Sequence, residues 1–151
     1  MKKEKLLISS CLLGELVKYN GSHNKLNKEI IKKIKNYFEL YPFCPEVEGG
    51  LPTPRVPCEI ISNNPLKVIN KETIDKTAEF VIGAQKAINL CKKKDIKIAL
   101  LKSNSPSCSN QYVYDGTFSN TKTEGFGITV SYLLAENIKI YNENQLELLF
   151  R

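Results

Sequence analysis

Long apolar runs, CxxC pairs, internal repeats and linker-like tracts are all missing from these 151 residues, and histidine and arginine are nearly so. Each absence excludes something. No apolar segment approaches the roughly 18 residues that a membrane span needs. The opening MKKEKLLISSC offers only Leu6-Leu7-Ile8, where a signal peptide needs an apolar core of about seven to fifteen residues. The expected location is therefore the cytoplasm, away from membranes. Without a linker or a repeat, and with 42% hydrophobic residues, residues 1–151 read as one domain able to bury a core. Without CxxC spacing, no zinc finger is announced. His23 is the only histidine, and a lone loop histidine is more often incidental than a ligand.

The scarcity of arginine bears on partners. Arg55 and Arg151 are the only two, so the formal charge of +6 is carried by lysine, much of it in the clusters Lys32, Lys33, Lys35 and Lys92, Lys93, Lys94. Nucleic-acid readers rely on arginine forks and interleaved aromatics. These lysines instead fall on predicted helix faces and read as solvated surface. DNA is not an expected partner, while an anionic ligand or RNA stays open.

Cysteine, by contrast, is present at five positions: Cys11, Cys44, Cys58, Cys91 and Cys108. An odd count in a reducing compartment argues against a disulfide framework and leaves core thiols or metal ligands. The pattern of elements decides which of them meet. Lys5 to Ser10 reads as a buried strand, and Cys11 stands at its C-terminal end. After an Asn20-Gly21 turn, Asn27 can cap a helix whose apolar positions are Ile30, Ile31, Ile34, Tyr37 and Phe38. Glu39 to Phe43 is a second strand, confined by Pro42 to an edge or an irregular part of a sheet, and Cys44 follows it. The prolines and glycines after Cys44 predict ten residues without regular structure. A ribbon is expected from Glu59 to Ser62 and Leu66 to Ile69. A helix is expected over Asn70 to Lys94, with Ile74, Ala78, Val81, Ile82, Ala87, Ile88 and Cys91 on its apolar stripe.

Ile96 to Leu101 is a third strand, and Cys108 lies in the loop after it. Gly125 and Gly127 introduce a further helix, Ile138 to Tyr141 makes a fourth strand, and Asn142 is expected to cap a short last helix. Four strands alternating with helices predict an α/β, three-layer, Rossmann-like domain. Its short parallel sheet has the strand order 2-1-3-4, given right-handed crossovers. Cys11, Cys44 and Cys108 then follow C-terminal strand ends, at the crevice where such sheets bind ligands. Cys58 lies off this pattern, and Cys91 is on the buried face of a helix.

Three convergent thiolates can hold a zinc ion or three irons of a cubane, leaving one position open. Three ordinary loop thiols are the plain alternative. Glu46, two residues after Cys44, stands where a general acid or base belongs, although an isolated loop glutamate is usually solvated. Ser105 and Ser107 of SPSC can hold substrate or relay a proton, but Ser-Pro is also a turn signal. Arg55, between Pro54 and Pro57, offers a planar fork to substrate or to a carboxylate.

The strings ISSCLLG (Ile8 to Gly14), PFCPEVEGGLPTPRVP (Pro42 to Pro57), LLKSNSPSC (Leu100 to Cys108) and YDGTF (Tyr114 to Phe118) resemble the motifs of the thiouracil desulfidase (TudS) family, through nearly the whole chain. The resemblance implies a 4Fe-4S cluster on Cys11, Cys44 and Cys108, with the fourth iron free to take sulfur from a thiolated base. The implied reaction is hydrolytic rather than redox, converting 2-thiouracil to uracil and sulfide. Glu46 is implied to handle protons or activate water with help from Ser105, while Ser107 and Arg55, read from the residues themselves, are the expected substrate contacts. Two positions depart from the pattern. Cys58 stands where the family has a small residue, as an extra packing thiol or a spare ligand, and Asn20 replaces an acidic residue. No appended domain is expected, which favours a free base or nucleoside over transfer RNA. A non-catalytic module for a cluster or thio-ligand, and an accessory acting on thiolated transfer RNA, are the alternatives.

Overall fold

The computed structural model describes residues 2–151. Its centre is the strand β1 (Glu4–Ser9), which is apolar at successive positions because both of its faces are covered. Leu6, Leu7 and Ile8 are all fully buried, each stabilising the fold by about 2 kcal/mol. β1 pairs in parallel with β2 (Phe38–Phe43) on one side and with β5 (Ile98–Leu101) on the other, and β5 pairs with β8 (Lys139–Asn142). The sheet order is β2-β1-β5-β8, the order expected from alternating elements. Pro42 sits in the edge strand β2, where its missing N–H costs no ladder bond on the open side.

Alternation along the strands builds two cores. Leu7, Ala99 and Leu101 pack with Ala87 and Cys91 of α3 (Thr77–Lys94) and with Val130 and Leu133 of α4 (Ile128–Ala135). Leu6, Ile8 and Leu100 pack on the opposite face with Ile34 of α1 (Lys28–Tyr37) and Leu149 of α5 (Leu146–Leu149). The result is the expected three-layer α/β arrangement. A third cluster, including Cys58, Ile60, Val68, Phe80, Val113 and Ile128, binds the antiparallel hairpin β3 (Cys58–Asn63) and β4 (Leu66–Asn70) to the helices beside the site. The ribbon expected there is present.

Several local expectations need correction. Asn27 does cap α1, its side chain accepting from the Ile30 amide at 2.8 Å. Phe38, however, is not a helical position: with extended backbone (φ −131°, ψ 150°) it caps α1, its N–H donating to the Ile34 carbonyl, and opens β2. The stretch after Cys44 is not wholly irregular, because Pro45–Glu48 forms a one-turn helix, α2, with proline at its first position. α3 begins at Thr77 rather than Asn70. Asn70 ends β4, and its side-chain oxygen accepts from the amides of Glu72 at 2.9 Å and Ile74 at 3.0 Å, turning the chain before the helix. The buried face of α3 is Phe80, Gly83, Ala84, Ala87 and Cys91, whereas Ile74, Ala78 and Ile82 are exposed. Asn142 lies inside β8, and Gln145 occupies the cap position of α5. The small antiparallel pair β6 (Tyr112–Tyr114) and β7 (Lys122–Glu124) carries no sequence signal strong enough to anticipate it. Among the described residues no helix is long and apolar enough to cross a membrane.

Candidate active site

Three adjacent strands deliver three thiols to one edge of the sheet. β1 ends at Ser9, and Cys11 follows in a single 3-10 turn, Ser10–Leu13, closed by Gly14 at φ 100°. β2 ends at Phe43, opposite Ser9 in the register, and Cys44 caps α2. β5 ends at Leu101, and the loop beyond it carries Cys108. Together they line a cleft of about 460 Å³, along with Glu46, Ser107 and Arg55. Cys58 lines the same cleft, at the start of β3, so the fourth thiol is closer to the site than its place off the strand-end pattern implies. Cys91 stays in the core under the sheet. His23 is exposed and uses its Nδ1 to accept from the Lys25 amide at 3.0 Å.

Two backbone contacts fix the loops. A Cβ on Gly83 of α3 would collide with the Pro45 carbonyl, and one on Gly49 would collide with the Glu79 carbonyl. α2 therefore rests backbone to backbone on α3, which sets the position of Cys44 and Glu46. On the other side, a Cβ at Gly127 would strike the backbone of Ser107 and Cys108. There Ile128 N–H donates to the Pro106 carbonyl at 2.9 Å and Gly127 N–H to the Ser109 carbonyl at 2.8 Å.

Glu46 stands between these two supports. Its Oε1 accepts from Arg55 Nε at 3.3 Å and its Oε2 from the Ser107 hydroxyl at 3.0 Å. The Glu46 and Arg55 side chains are 14% and 6% exposed, so this is a desolvated pair in which each charge needs the other. Arg55 spends its remaining reach on the protein. It donates to the Pro52 carbonyl and Thr53 hydroxyl, both at 3.1 Å, and to the Val17 carbonyl at 2.9 Å. Of the two serines, Ser107 touches the carboxylate. Ser105 Oγ lies 3.0 Å from Ser107 Oγ and accepts from the amides of Ser107 and Cys108, each at 3.1 Å. Because the single Ser107 hydroxyl proton points at Glu46, Ser105 must be the donor in the serine pair.

Burial pushes all the cleft thiols up from their ordinary value. Cys108 is pushed to about 12, chiefly by desolvation. Cys58 is pushed to about 11 by desolvation, with the Glu46 charge adding to it. Cys11 and Cys44 are raised as well, first by desolvation, and for Cys11 the Asn24 hydrogen bond opposes this. Thiols in such a state gain most from a positively charged group that replaces their protons.

Two observations bear on what that group is. Among the described residues, no three cysteine, histidine, aspartate or glutamate side chains cluster tightly enough to hold one metal ion. A cluster with one iron per cysteine accommodates wider spacing. The surroundings also suit bound thiolates. Asn24 Nδ2 donates to Cys11 Sγ at 3.5 Å, and the Ser10 hydroxyl, which borders the cleft beside Cys11, is buried without a partner. An orphaned donor at this place is satisfied by an acceptor that fills the cleft. Ser10 adjoins Cys11 within ISSCLLG, whereas Asn24 carries no motif that marks it and only the folded loop brings it to Cys11.

These features define an α/β protein that holds its chemistry in a thiol-lined crevice at the carboxyl edge of a parallel sheet, with a carboxylate clamped beside the thiols. Comparison with known proteins narrows that class. The family model described as 2-thiouracil desulfurase matches residues 6–145. The chain is similar to YbbK, an uncharacterised protein of Bacillus subtilis (strain 168), at 36% identity over 148 residues, covering 93% of this chain and 97% of that one. It is also similar to the solved structure of a 4Fe-4S-dependent thiouracil desulfidase, TudS. That match has 39% identity and a TM-score of 0.90, and it covers 96% of this chain and 94% of the other. The chain belongs to the 2-thiouracil desulfurase family.

Proposed function

We propose that this chain is an iron-sulfur cluster-dependent desulfidase that hydrolyses a thiolated pyrimidine, 2-thiouracil being the reference substrate, to the oxygen base and sulfide. Water supplies the oxygen and two protons, the carbon-sulfur bond breaks, and no net electron is gained or lost. The observation that carries this reading is the Glu46 carboxylate, held through both oxygens by Arg55 and Ser107 inside the crevice lined by Cys11, Cys44 and Cys108. Those three cysteines are the proposed ligands. When bound, a 4Fe-4S cluster supplies an iron with an open position, a Lewis acid with affinity for soft sulfur.

The chain's own groups do the proton work. Glu46 is the base for the attacking water and returns that proton to the leaving sulfur. Arg55 holds the carboxylate through Nε and gives three further bonds to the protein, which leaves one of its five donors for substrate. Ser107 orients Oε2 of Glu46. Ser105, half-buried on the cleft wall, continues a hydroxyl chain from Ser107 toward solvent. Cys58 is a packing thiol of the cleft wall, not a ligand. A cleft of about 460 Å³ is in the range of small-molecule sites, which favours a free base or nucleoside over transfer RNA.

The test is sulfide release from thiolated bases by anaerobically prepared protein. The wild type is expected to release sulfide and the oxygen base together, and Glu46→Gln to lower the rate by about 10²- to 10⁴-fold with its iron retained. Cluster and base binding without any product would instead mark a carrier module.

A further inference from the structure

A second ion pair stands at the same sheet edge and takes no part in the proton path above. Lys102 directly follows β5, and its amide donates to Ser9 Oγ at 2.9 Å, tying it to the end of β1 just before Cys11. Its ammonium is 2.9 Å from Glu143 Oε2, 3.1 Å from the Ser103 carbonyl and 3.2 Å from the Ser103 hydroxyl, which engages the three donors of an ammonium. Glu143, one residue beyond β8, also accepts from the Ser103 amide and the Ser103 hydroxyl, each at 2.8 Å. Burial alone would raise the Glu143 carboxyl. Lys102 and Ser103 outweigh it and hold the group below its ordinary value. With side chains only 25% and 15% exposed, the pair is anchored and partly shielded, unlike a loose surface contact.

The pair also has a direction. Lys102 borders the cleft and Glu143 does not. Lys102 is therefore the cleft-side member of the pair, tied through its amide to Ser9, two residues before Cys11. The other ion pair of the cleft, Glu46 with Arg55, belongs to the Cys44 side.

We propose that Lys102 and Glu143 form a positioning pair, a fixed dipole with its positive end toward Cys11, that sets the electrostatic potential at the cofactor held there. This rests on the cluster reading of the three cysteines. Lys102 is not a substrate ligand in this account, because its donors are already taken. A cluster on three thiolates becomes more negative on reduction, and a nearby fixed positive charge favours the reduced state.

The experiment is a spectroelectrochemical titration of anaerobically reconstituted wild type, Lys102→Met, Glu143→Gln, the double variant and Lys102→Arg, each at matched iron content. The cluster potential is expected to fall in Lys102→Met and to rise in Glu143→Gln. It should return toward wild type in the double variant and stay near it in Lys102→Arg. A merely structural role moves both single variants in the same direction. Shifts of one sign, or none, at full iron content would overturn the proposal. If Lys102→Met does not fold, the upward shift of Glu143→Gln decides alone. A wild type that binds no cluster overturns the cluster reading itself, and this inference with it.

Discussion

At the scale of the residue, the arrangement turns on which atoms Arg55 reaches. A lone arginine between prolines is legible as a fork waiting for a partner, substrate or carboxylate, with a structural ion pair the commoner outcome. The fold chooses the carboxylate, because the loop from Thr53 to Pro57 turns the guanidinium inward under Val17 and against Glu46. Lysine cannot reproduce four bonds from a planar fork. Arg55→Lys is expected to lower sulfide release by about 10²-fold, the size of effect that follows a small misplacement of a reacting group, while iron content stays unchanged. Parallel iron and sulfide assays check this, and a variant with wild-type activity would show that Glu46 needs no guanidinium. The serines teach a related lesson. SPSC marks a turn with hydroxyls, but which hydroxyl meets Glu46 depends on side-chain direction. It is Ser107, with Ser105 behind it.

Among the elements, the four strands of the parallel sheet are the most legible, the pair β6 and β7 the least, and α3 is legible in part. Leu6-Leu7-Ile8 and Ile98-Ala99-Leu100-Leu101 are continuous apolar runs because each strand is covered on both faces, and that pattern survives without tertiary information. The apolar stripe read for α3 favoured its large residues, Ile74 and Ile82, which are exposed. The true contact face is built of Gly83, Ala84 and Ala87 because α2 and α4 lie close against it. Small residues give little periodic signal, yet they allow the close approach. Gly83→Ala tests this contact. In an exposed helix interior the change gains about 1 kcal/mol, but here the new methyl meets the Pro45 carbonyl and must push α2 away. The expected outcome is a loss of about 2 kcal/mol in thermal or denaturant unfolding, with weaker iron retention because Cys44 moves with α2. A stabilised, iron-replete variant would show that α2 is free to shift without consequence.

Across the whole molecule, the crevice is legible, and of its lining Glu46, Arg55, Ser105 and Ser107 are legible with the three cysteines. Each of Cys11, Cys44 and Cys108 follows a strand, so the strand order alone places them at one edge. Cys58 and Asn24 approach them only through loop paths that no spacing rule encodes, whereas Ser10 adjoins Cys11, and Lys102 and Glu143 directly follow the ends of β5 and β8. Burial of the thiols also sets a pH dependence. Cys58 and Cys91 are pushed to about 11 and Cys108 to about 12, in each case chiefly by desolvation, from an ordinary value of 9.0. Folded-state values above the unfolded one mean that their contribution to stability is complete below pH 9.0. It is lost as the pH rises toward 11 and 12. The cluster-free protein is expected to lose melting temperature steadily above pH 9.0, and Cys58→Ala to flatten that decline. A decline of unchanged slope in the variant would remove Cys58 from the account.

The central claim is that three strand-end thiols, and not the fourth thiol beside them, hold one cluster. Iron and acid-labile sulfide counts on anaerobically reconstituted protein test it most directly. The account predicts about four irons per chain in the wild type and in Cys58→Ala, and a collapse of that count in Cys11→Ala, Cys44→Ala and Cys108→Ala. A full iron count in any of those three variants, or its loss in Cys58→Ala, would contradict it.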